Sequence, residues 1–277
     1  MTELQELGES LLDEILLCRR FSREQGVKAD GSVKLRAIDD LTGNGANGTA
    51  EQEGKVRMDD LDELVEAIRA YYAIRGELPR LWKADIDAAF RRVPIKEDDR
   101  WAAWVAFLLD GKVLTARHIG LMFGSVGSVH GWGRVGALIR HVAREWLMLP
   151  VLRYVDDYFS TEGEATAAHA LSCFARLVRT MLGGDALAEA KTECGRPLTI
   201  LGIQVDVEED GITLELTEQK RQDWGGRPQV AMDQGALAAG VASRFAGKLS
   251  FAALRCFSKI GRVMARPFQL LTRSSIL

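Results

Sequence analysis

The apolar positions of this chain fall into blocks of helical and extended spacing. Over residues 3–21, Leu4, Leu7, Leu11, Leu12, Ile15 and Leu16 recur at helical intervals, which predicts an N-terminal amphipathic helix with an acidic polar side. Residues 27–39 read as extended chain turning at Asp30-Gly31-Ser32, and the Gly-, Asn- and Thr-rich stretch 41–54 reads as a flexible loop. Helical spacing returns over 59–75, with Asp59 or Asp60 placed to cap it. A strand is expected over 81–86, followed by paired strands 101–109 and 112–118 around Asp110-Gly111. Helices follow over 137–149 and 165–182. Strands 199–207 and 212–216 then form a hairpin across Glu208-Glu209-Asp210-Gly211, and residues 236–272 are mostly helical. This order predicts an α+β fold, an antiparallel sheet with helices on one face. No internal repeat or low-complexity tract interrupts it.

Composition narrows the class. The chain has 277 residues, 47% hydrophobic and 27% charged, as expected of a globular protein with one large or two smaller domains. No apolar run approaches the length of a membrane span, and the acidic N-terminal helix is unlike a signal peptide. Cys18, Cys173, Cys194 and Cys256 are scattered without zinc spacing, so reduced thiols in an intracellular protein, cytoplasmic or nuclear, are expected. The formal net charge is -3 but unevenly spread. Residues 217–277 hold ten Lys and Arg against three Asp and Glu, a local +7 that leaves -10 for the remainder. A basic C-terminal segment beside an acidic body suits nucleic-acid binding.

The sharpest chemical signal is Tyr154-Val155-Asp156-Asp157. Extended runs on both sides predict a hairpin with the two aspartates in its turn. Adjacent carboxylates are often plain turn formers. Held together, however, like charges are costly unless a cation neutralises them, and a hard divalent ion such as magnesium prefers carboxylate and phosphate oxygens. A third carboxylate, Asp85, stands at the end of the strand expected over 81–86. Carboxylates converging from separate strands are what two-metal phosphoryl transfer requires. Asp87 would share the face of Asp85 but is better read as capping the following turn.

The ordered set Asp85-x-x-x-Ala89-Phe90-x-x-x-Pro94, Phe123-Gly124, Tyr154-Val155-Asp156-Asp157, then Lys191 ahead of Leu201-Gly202, resembles the palm of reverse transcriptases. It is most similar to the retrotransposon branch and covers about 28–266. The resemblance implies a right-hand polymerase: fingers over 1–80, palm over 81–216 with interleaved fingers strands about 95–120, and a basic helical thumb or connection beginning over 217–277. It implies RNA-directed DNA synthesis on an RNA or DNA template with primer, using deoxynucleoside triphosphates, with Mg2+ (or Mn2+) at Asp85, Ile86, Asp156 and Asp157. Phe90 would exclude a 2′-hydroxyl under the incoming sugar. Phe123 and Gly124 would lie against the nucleotide, and Lys34 and Arg36 over its triphosphate. Tyr154 and Val155 would flank the primer end, Leu201-Gly202 would support the primer strand, and Lys191 would protonate the departing pyrophosphate. Gly127-Ser128-Val129 stands where Asn-Ala-Pro is frequent in retrotransposons. Further domains of a polyprotein, such as a ribonuclease H or integrase, are expected as partners.

Two other readings compete. One is an inactive, element-derived fragment that binds nucleic acid without polymerising. The other is a dinucleotide-binding oxidoreductase, because Gly131-Trp132-Gly133-Arg134-Val135-Gly136 matches Gly-x-Gly-x-x-Gly, with Asp156 about twenty residues further on as a ribose ligand. That motif should follow a strand directly, and here a Gly/Ser-rich run intervenes.

Overall fold

The computed structural model describes residues 2–6, 9–27, 31–51, 54–222, 224 and 239–256. The first half of the chain forms β1 (Thr2–Glu3), α1 (Glu9–Glu14), β2 (Leu17–Val27), β3 (Val33–Asp39), α2 (Leu61–Arg75), β4 (Arg80–Asp85), β5 (Trp104–Leu109), β6 (Lys112–Arg117) and α3 (Val126–Glu145). The second half forms β7 (Leu152–Tyr154), β8 (Asp157–Glu162), α4 (Ala167–Leu182), β9 (Glu193–Gly195), β10 (Leu198–Ile200), β11 (Ile203–Glu208), β12 (Gly211–Leu216) and α5 (Ala239–Cys256). These make two compact units. One comprises 1–58, 86–142 and 177–187, and the other 59–85, 143–176 and 188–277.

The first unit is built on a five-stranded sheet of order β1-β6-β5-β2-β3. The long N-terminal helix expected over 3–21 is not formed. Among the described residues of this stretch only Glu9–Glu14 is α-helical, and Leu17 already belongs to β2. Leu17, Cys18 and Arg19 pair in parallel with Trp104, Val105 and Ala106, and Cys18 is fully buried with Leu41, Ala103, Val105 and Met122. Sheet pairing around this small core overrides the local helical spacing. The stretch expected to be a flexible loop is instead a tied stack of turns. Asn47 N donates to Leu41 O at 3.0 Å, Gly48 N to Gly45 O at 2.9 Å, and Gly43 N to the Asp40 carboxylate at 2.9 Å. The expected strand over 101–109 begins only at Trp104, because 97–102 winds into a 3-10 turn.

Helix α3 begins well before the expected residue 137 and ends at Glu145 rather than 149. Its glycines had disguised it as a loop, but they are points of close approach. A Cβ at Gly131 would stand 2.8 Å from Leu121 Cδ1, and one at Gly133 would stand 2.9 Å from Val56 Cγ1. The Gly-x-Gly-x-x-Gly motif therefore lies inside a helix and serves packing. The dinucleotide reading needs it in the loop that ends a strand, so that reading is overturned.

The second unit carries a four-stranded sheet of order β7-β8-β4-β9 and a three-stranded sheet of order β10-β11-β12. Trp82 and Tyr158 point to one face, where both rings pack on Phe174 of α4 with centroids 5.2 and 5.0 Å apart. Leu81 and Phe159 point to the other face and join Leu61, Leu64 and Ile68 of α2 and Val205 of β11 in one buried core. Asp60 caps α2 reciprocally with Glu63, a capping box. The hairpin expected over 199–216 gains an extra corner. Leu201 and Gly202, both left-handed at φ 48° and 75°, turn β10 back onto β11. Of the mostly helical stretch expected over 236–272, Ala239–Cys256 forms α5, and residues 236–238 and 257–272 lie outside the described residues. Among the described residues, no helix is long and apolar enough to cross a membrane.

Candidate active site

Strand register builds the acidic centre of the second unit. Tyr154 pairs with Asp157, and Asp157 pairs with Asp85, so the three form one row across β7, β8 and β4. Directly opposed residues share a face. The hairpin turn is therefore Val155-Asp156 alone, and Asp157 is the first residue of β8 rather than part of the turn. Val155 adopts φ 54°, the left-handed region that a β-branched residue rarely enters. Behind the turn, Arg153 is only 2% exposed, and its Nη1 donates to Val155 O at 3.3 Å. The Arg153 backbone N–H also donates to the Asp59 carboxylate at 2.9 Å.

The carboxylates are crowded and under-neutralised. Burial raises the Asp157 carboxyl to about 6, with the charges of Asp156 and Asp85 adding to the effect. Asp85 is 9% exposed. Lys191 follows from a 3-10 turn tied to the end of β4 by Ala188 N donating to Asp85 O at 3.0 Å. Its Nζ donates to both Asp85 oxygens, at 3.1 and 3.0 Å. Burial opposes the Lys191 charge, but this pairing and the charges of Asp157 and Asp156 outweigh it and raise its pKa. An ammonium thus already sits where positive charge is wanted. Hard oxygen donors with excess negative charge fit a divalent magnesium-like ion. Among the described residues no three His, Cys, Asp or Glu side chains enclose a metal by themselves, so an ion here would need further oxygen ligands from outside the carboxylates. Ile86 can offer only its backbone carbonyl, since its side chain is buried and apolar.

Beside the carboxylates opens a cavity of about 480 Å³, lined by Lys83, Asp85, Tyr154, Asp157, Lys191, Leu201, Gly202, Phe251 and Arg255 among others. Lys83 Nζ donates to Thr199 O at 2.8 Å and faces Glu193 at 3.3 Å. Arg255 of α5 bonds Asp60 at 2.8 Å, and its guanidinium lies over the Tyr154 ring at 4.9 Å. One wall is therefore acidic, and the other is aromatic and cationic.

The remaining predicted residues belong to the first unit. Lys34 and Arg36 lie exposed on β3. Arg36 directly opposes Arg23 of β2, a residue that sequence reasoning missed. Like charges directly opposed on a sheet are unfavourable without an anion between them. The irregular register between Glu24 and Val27 hides this pairing from a simple count along the hairpin. The Arg36 guanidinium lies 5.6 Å from the Phe123 ring centroid, and the Phe123 and Phe90 rings meet tilted, with centroids 5.0 Å apart. Phe90 is 8% exposed and also faces Trp132 at 6.4 Å. Gly124 is left-handed at φ +89°, where a Cβ would stand 3.2 Å from Asp39 O. Asp87 stands in the turn after β4, where Arg92 Nε donates to its carbonyl at 2.7 Å and Arg92 Nη2 lies 3.6 Å from its carboxylate. In the same unit Asp39 is buried against Arg20 at 2.6 and 3.0 Å, with His118 at 3.5 Å.

Solved structures share this architecture. The foamy viral protease-reverse transcriptase in complex with an RNA/DNA hybrid superposes with a TM-score of 0.61 at 18% identity, over 93% of this chain and 30% of that one. The fold is that of a reverse transcriptase. The foamy viral protease-reverse transcriptase dRH in complex with double-stranded DNA gives a TM-score of 0.59 at 18% identity, covering 91% of this chain and 41% of that one. A further complex of the reverse transcriptase with double-stranded DNA gives 0.53 at 20% identity, covering 84% and 44%. The chain thus spans less than half the length of these structures. No family model and no curated protein matches the sequence. In reverse transcriptase terms, the four-stranded sheet of the second unit is palm-like.

Proposed function

We propose that this chain is the polymerase core of an RNA-directed DNA polymerase, adding deoxynucleotides to a primer 3′-end on an RNA or DNA template. The observation that carries the proposal is the row Tyr154–Asp157–Asp85 with Lys191 on Asp85. The ordered motifs support an origin in a retrotransposon polyprotein, and nucleic acid bound to the structurally similar viral enzymes supports the partner class.

Asp85, Asp156 and Asp157, with the Ile86 carbonyl, would hold the magnesium. Bound there, it supplies Lewis-acid stabilisation of charge on the attacking and leaving oxygens. The chain's own residues do the rest. Lys191 keeps its proton at Nζ and can pass it to the departing pyrophosphate. Arg36, Arg23 and Lys34 meet the triphosphate with a cationic sheet face. Phe90 limits the space at the sugar, and the Tyr154 and Leu201-Gly202 walls seat the primer end. Primer extension on an RNA template with deoxynucleotides and magnesium, beside an Asp156→Ala control, tests this directly. Extension that vanishes in the control is expected. Template-primer binding without extension in the unmodified chain would leave only the inactive-fragment reading.

A further inference from the structure

Asn47 lies in the 3-10 turn Ala46–Gly48, outside every motif of the sequence. Its backbone N–H donates to Leu41 O at 3.0 Å, and its Nδ2 donates to Thr42 Oγ1 at 3.2 Å within the same loop. The side chain then reaches a segment far along the chain. Nδ2 donates to Gly124 O at 2.9 Å, and Oδ1 accepts from Val126 N at 2.9 Å. Only one orientation of the amide satisfies a carbonyl and an N–H together.

Val126 opens α3, so its N–H is one of the donors that a helix leaves without an intrahelical partner. Ser125 Oγ takes the Ser128 N–H at 3.4 Å, and Asn47 takes the first one from outside the helix. Gly124 is thereby bracketed, with Asn47 on its carbonyl and the Asp39 carbonyl oxygen 3.2 Å from where a Cβ would stand. The residue immediately before this pinned corner is Phe123. Its ring packs on both neighbours, with its centroid 5.0 Å from that of Phe90 and 5.6 Å from the Arg36 guanidinium.

We propose that Asn47 is a positioning residue for nucleotide selection: it fixes the Phe123-Gly124 corner, and through the Phe123 ring it registers Phe90 against Arg36. The role rests on the polymerase function proposed above. Phe90 and Arg36 meet different parts of one nucleotide, the sugar and the triphosphate, so their relative placement decides whether both can be engaged together. A loosened corner lets the Phe123 ring shift, which weakens deoxynucleotide binding and relaxes exclusion of the 2′-hydroxyl.

The test pairs residue-level amide exchange with steady-state primer extension, on the unmodified chain, Asn47→Ala and Asn47→Asp. In Asn47→Ala, exchange at Val126 is expected to quicken about tenfold, the equivalent of one lost hydrogen bond. The KM for deoxynucleotide should rise several-fold, and the deoxy-to-ribonucleotide preference should fall with it. kcat and the KM for template-primer should stay near those of the unmodified chain. Asn47→Asp keeps the acceptor for Val126 but sets a carboxylate against the Gly124 carbonyl. It should preserve Val126 protection while still impairing nucleotide KM. Unchanged exchange at Val126 in Asn47→Ala would overturn the clamp whatever the polymerase does. Faster exchange with nucleotide KM and sugar preference intact would confine Asn47 to folding and overturn the positioning role. If the unmodified chain does not extend a primer, the proposed function fails and the nucleotide role fails with it, while the exchange result still decides whether the clamp exists.

Discussion

The two units handle charge in opposite ways. In the palm-like unit, strand register forces Asp157 against Asp85 with Asp156 next in the chain, and burial raises the Asp157 carboxyl to about 6. In the other unit, Arg23 and Arg36 oppose each other on an exposed hairpin face where water and salt screen them. The clustered carboxylates thus store unfavourable energy in the folded chain, while the exposed opposed arginines cost little. The sharpest way to break this comparison is Asp157→Asn. Extension should fall on the order of a thousandfold, since a metal-binding carboxylate supplies several kcal/mol to the transition state. Yet the metal-free variant should melt above the unmodified protein at pH 7.5. The sign follows from the raised carboxyl. Between the ordinary value of 3.8 and about 6 the folded state binds the extra proton, so the unmodified protein gains stability as pH falls through about 6. Asn has no such proton, so the advantage of the variant should shrink by pH 5. Melting curves that run parallel across this range would refute the stored cost.

A buried aspartate in the first unit sharpens the contrast, because it shifts the other way. Burial also disfavours the Asp39 charge, but hydrogen bonds from His118 and Arg20 outweigh it and hold the carboxyl at about 2. Its side chain is 3% exposed. A carboxyl lowered from 3.8 contributes stability above that value and loses it as pH falls toward 2, a contribution of about 2 kcal/mol. Denaturant unfolding of Asp39→Asn should show roughly this loss at pH 7, with the gap to the unmodified protein closing near pH 2.5. A gap that persists at low pH would mean packing, not charge, holds the pair. Burial pushes both carboxyls up, so what separates Asp39 from Asp157 is the partners, His118 and the Arg20 guanidinium in one unit and further carboxylates in the other.

The exposed arginines come next in size. Arg36→Gln should raise the KM for deoxynucleotide by about tenfold, since a charge-assisted hydrogen bond is worth about 1.5 kcal/mol or more. Thermal stability should hold or rise slightly as the like-charge opposition with Arg23 is removed. Arg23→Gln should reproduce both effects if the two arginines meet the same triphosphate. A drop in melting temperature in either variant would show that the hairpin face is held by its charges rather than strained by them.

The carboxylates were legible in the sequence because register and chemistry coincide there. Extended runs around Asp156-Asp157 predict the hairpin and Asp85 ends an apolar strand, but the turn falls one residue earlier than expected, at Val155-Asp156, which sets Asp157 on the strand opposite Asp85. In β4, Trp82 and Ala84 lie on one face and Leu81, Lys83 and Asp85 on the other, so the strand delivers Asp85 to the row with Asp157. Legibility failed where tertiary contacts override local preference. Leu17 and Cys18 continue a helical pattern but are captured by β5. Gly131 and Gly133 weaken the helix signal of α3 while allowing its close packing on Leu121 and Val56. Arg23 and Asn47 left no local trace at all. The first is placed by an irregular hairpin register, and the second by hydrogen bonds to a loop distant in sequence.

The smallest expected effect lies at Val155, and it asks whether strain in the palm-like unit is kept for function. A β-branched residue at φ 54° costs on the order of 1–2 kcal/mol relative to a residue that accepts the left-handed region. Val155→Gly removes that cost but adds up to about 1 kcal/mol of backbone entropy to the unfolded chain. The net gain should be about 0.5 kcal/mol, visible as a small rise in melting temperature without metal. Arg153 donates to the Val155 carbonyl, which glycine retains, so the turn has no reason to change type. The side chain is what disappears, and with it the apolar surface offered beside Asp156 in the turn. If the strain is tolerated because that surface seats the primer end, Val155→Gly should extend primers more slowly and release them sooner despite its greater stability. Faster or unchanged extension would mean that the strained valine serves no function in the turn, and that the acidic centre needs only the backbone path which Arg153 supports.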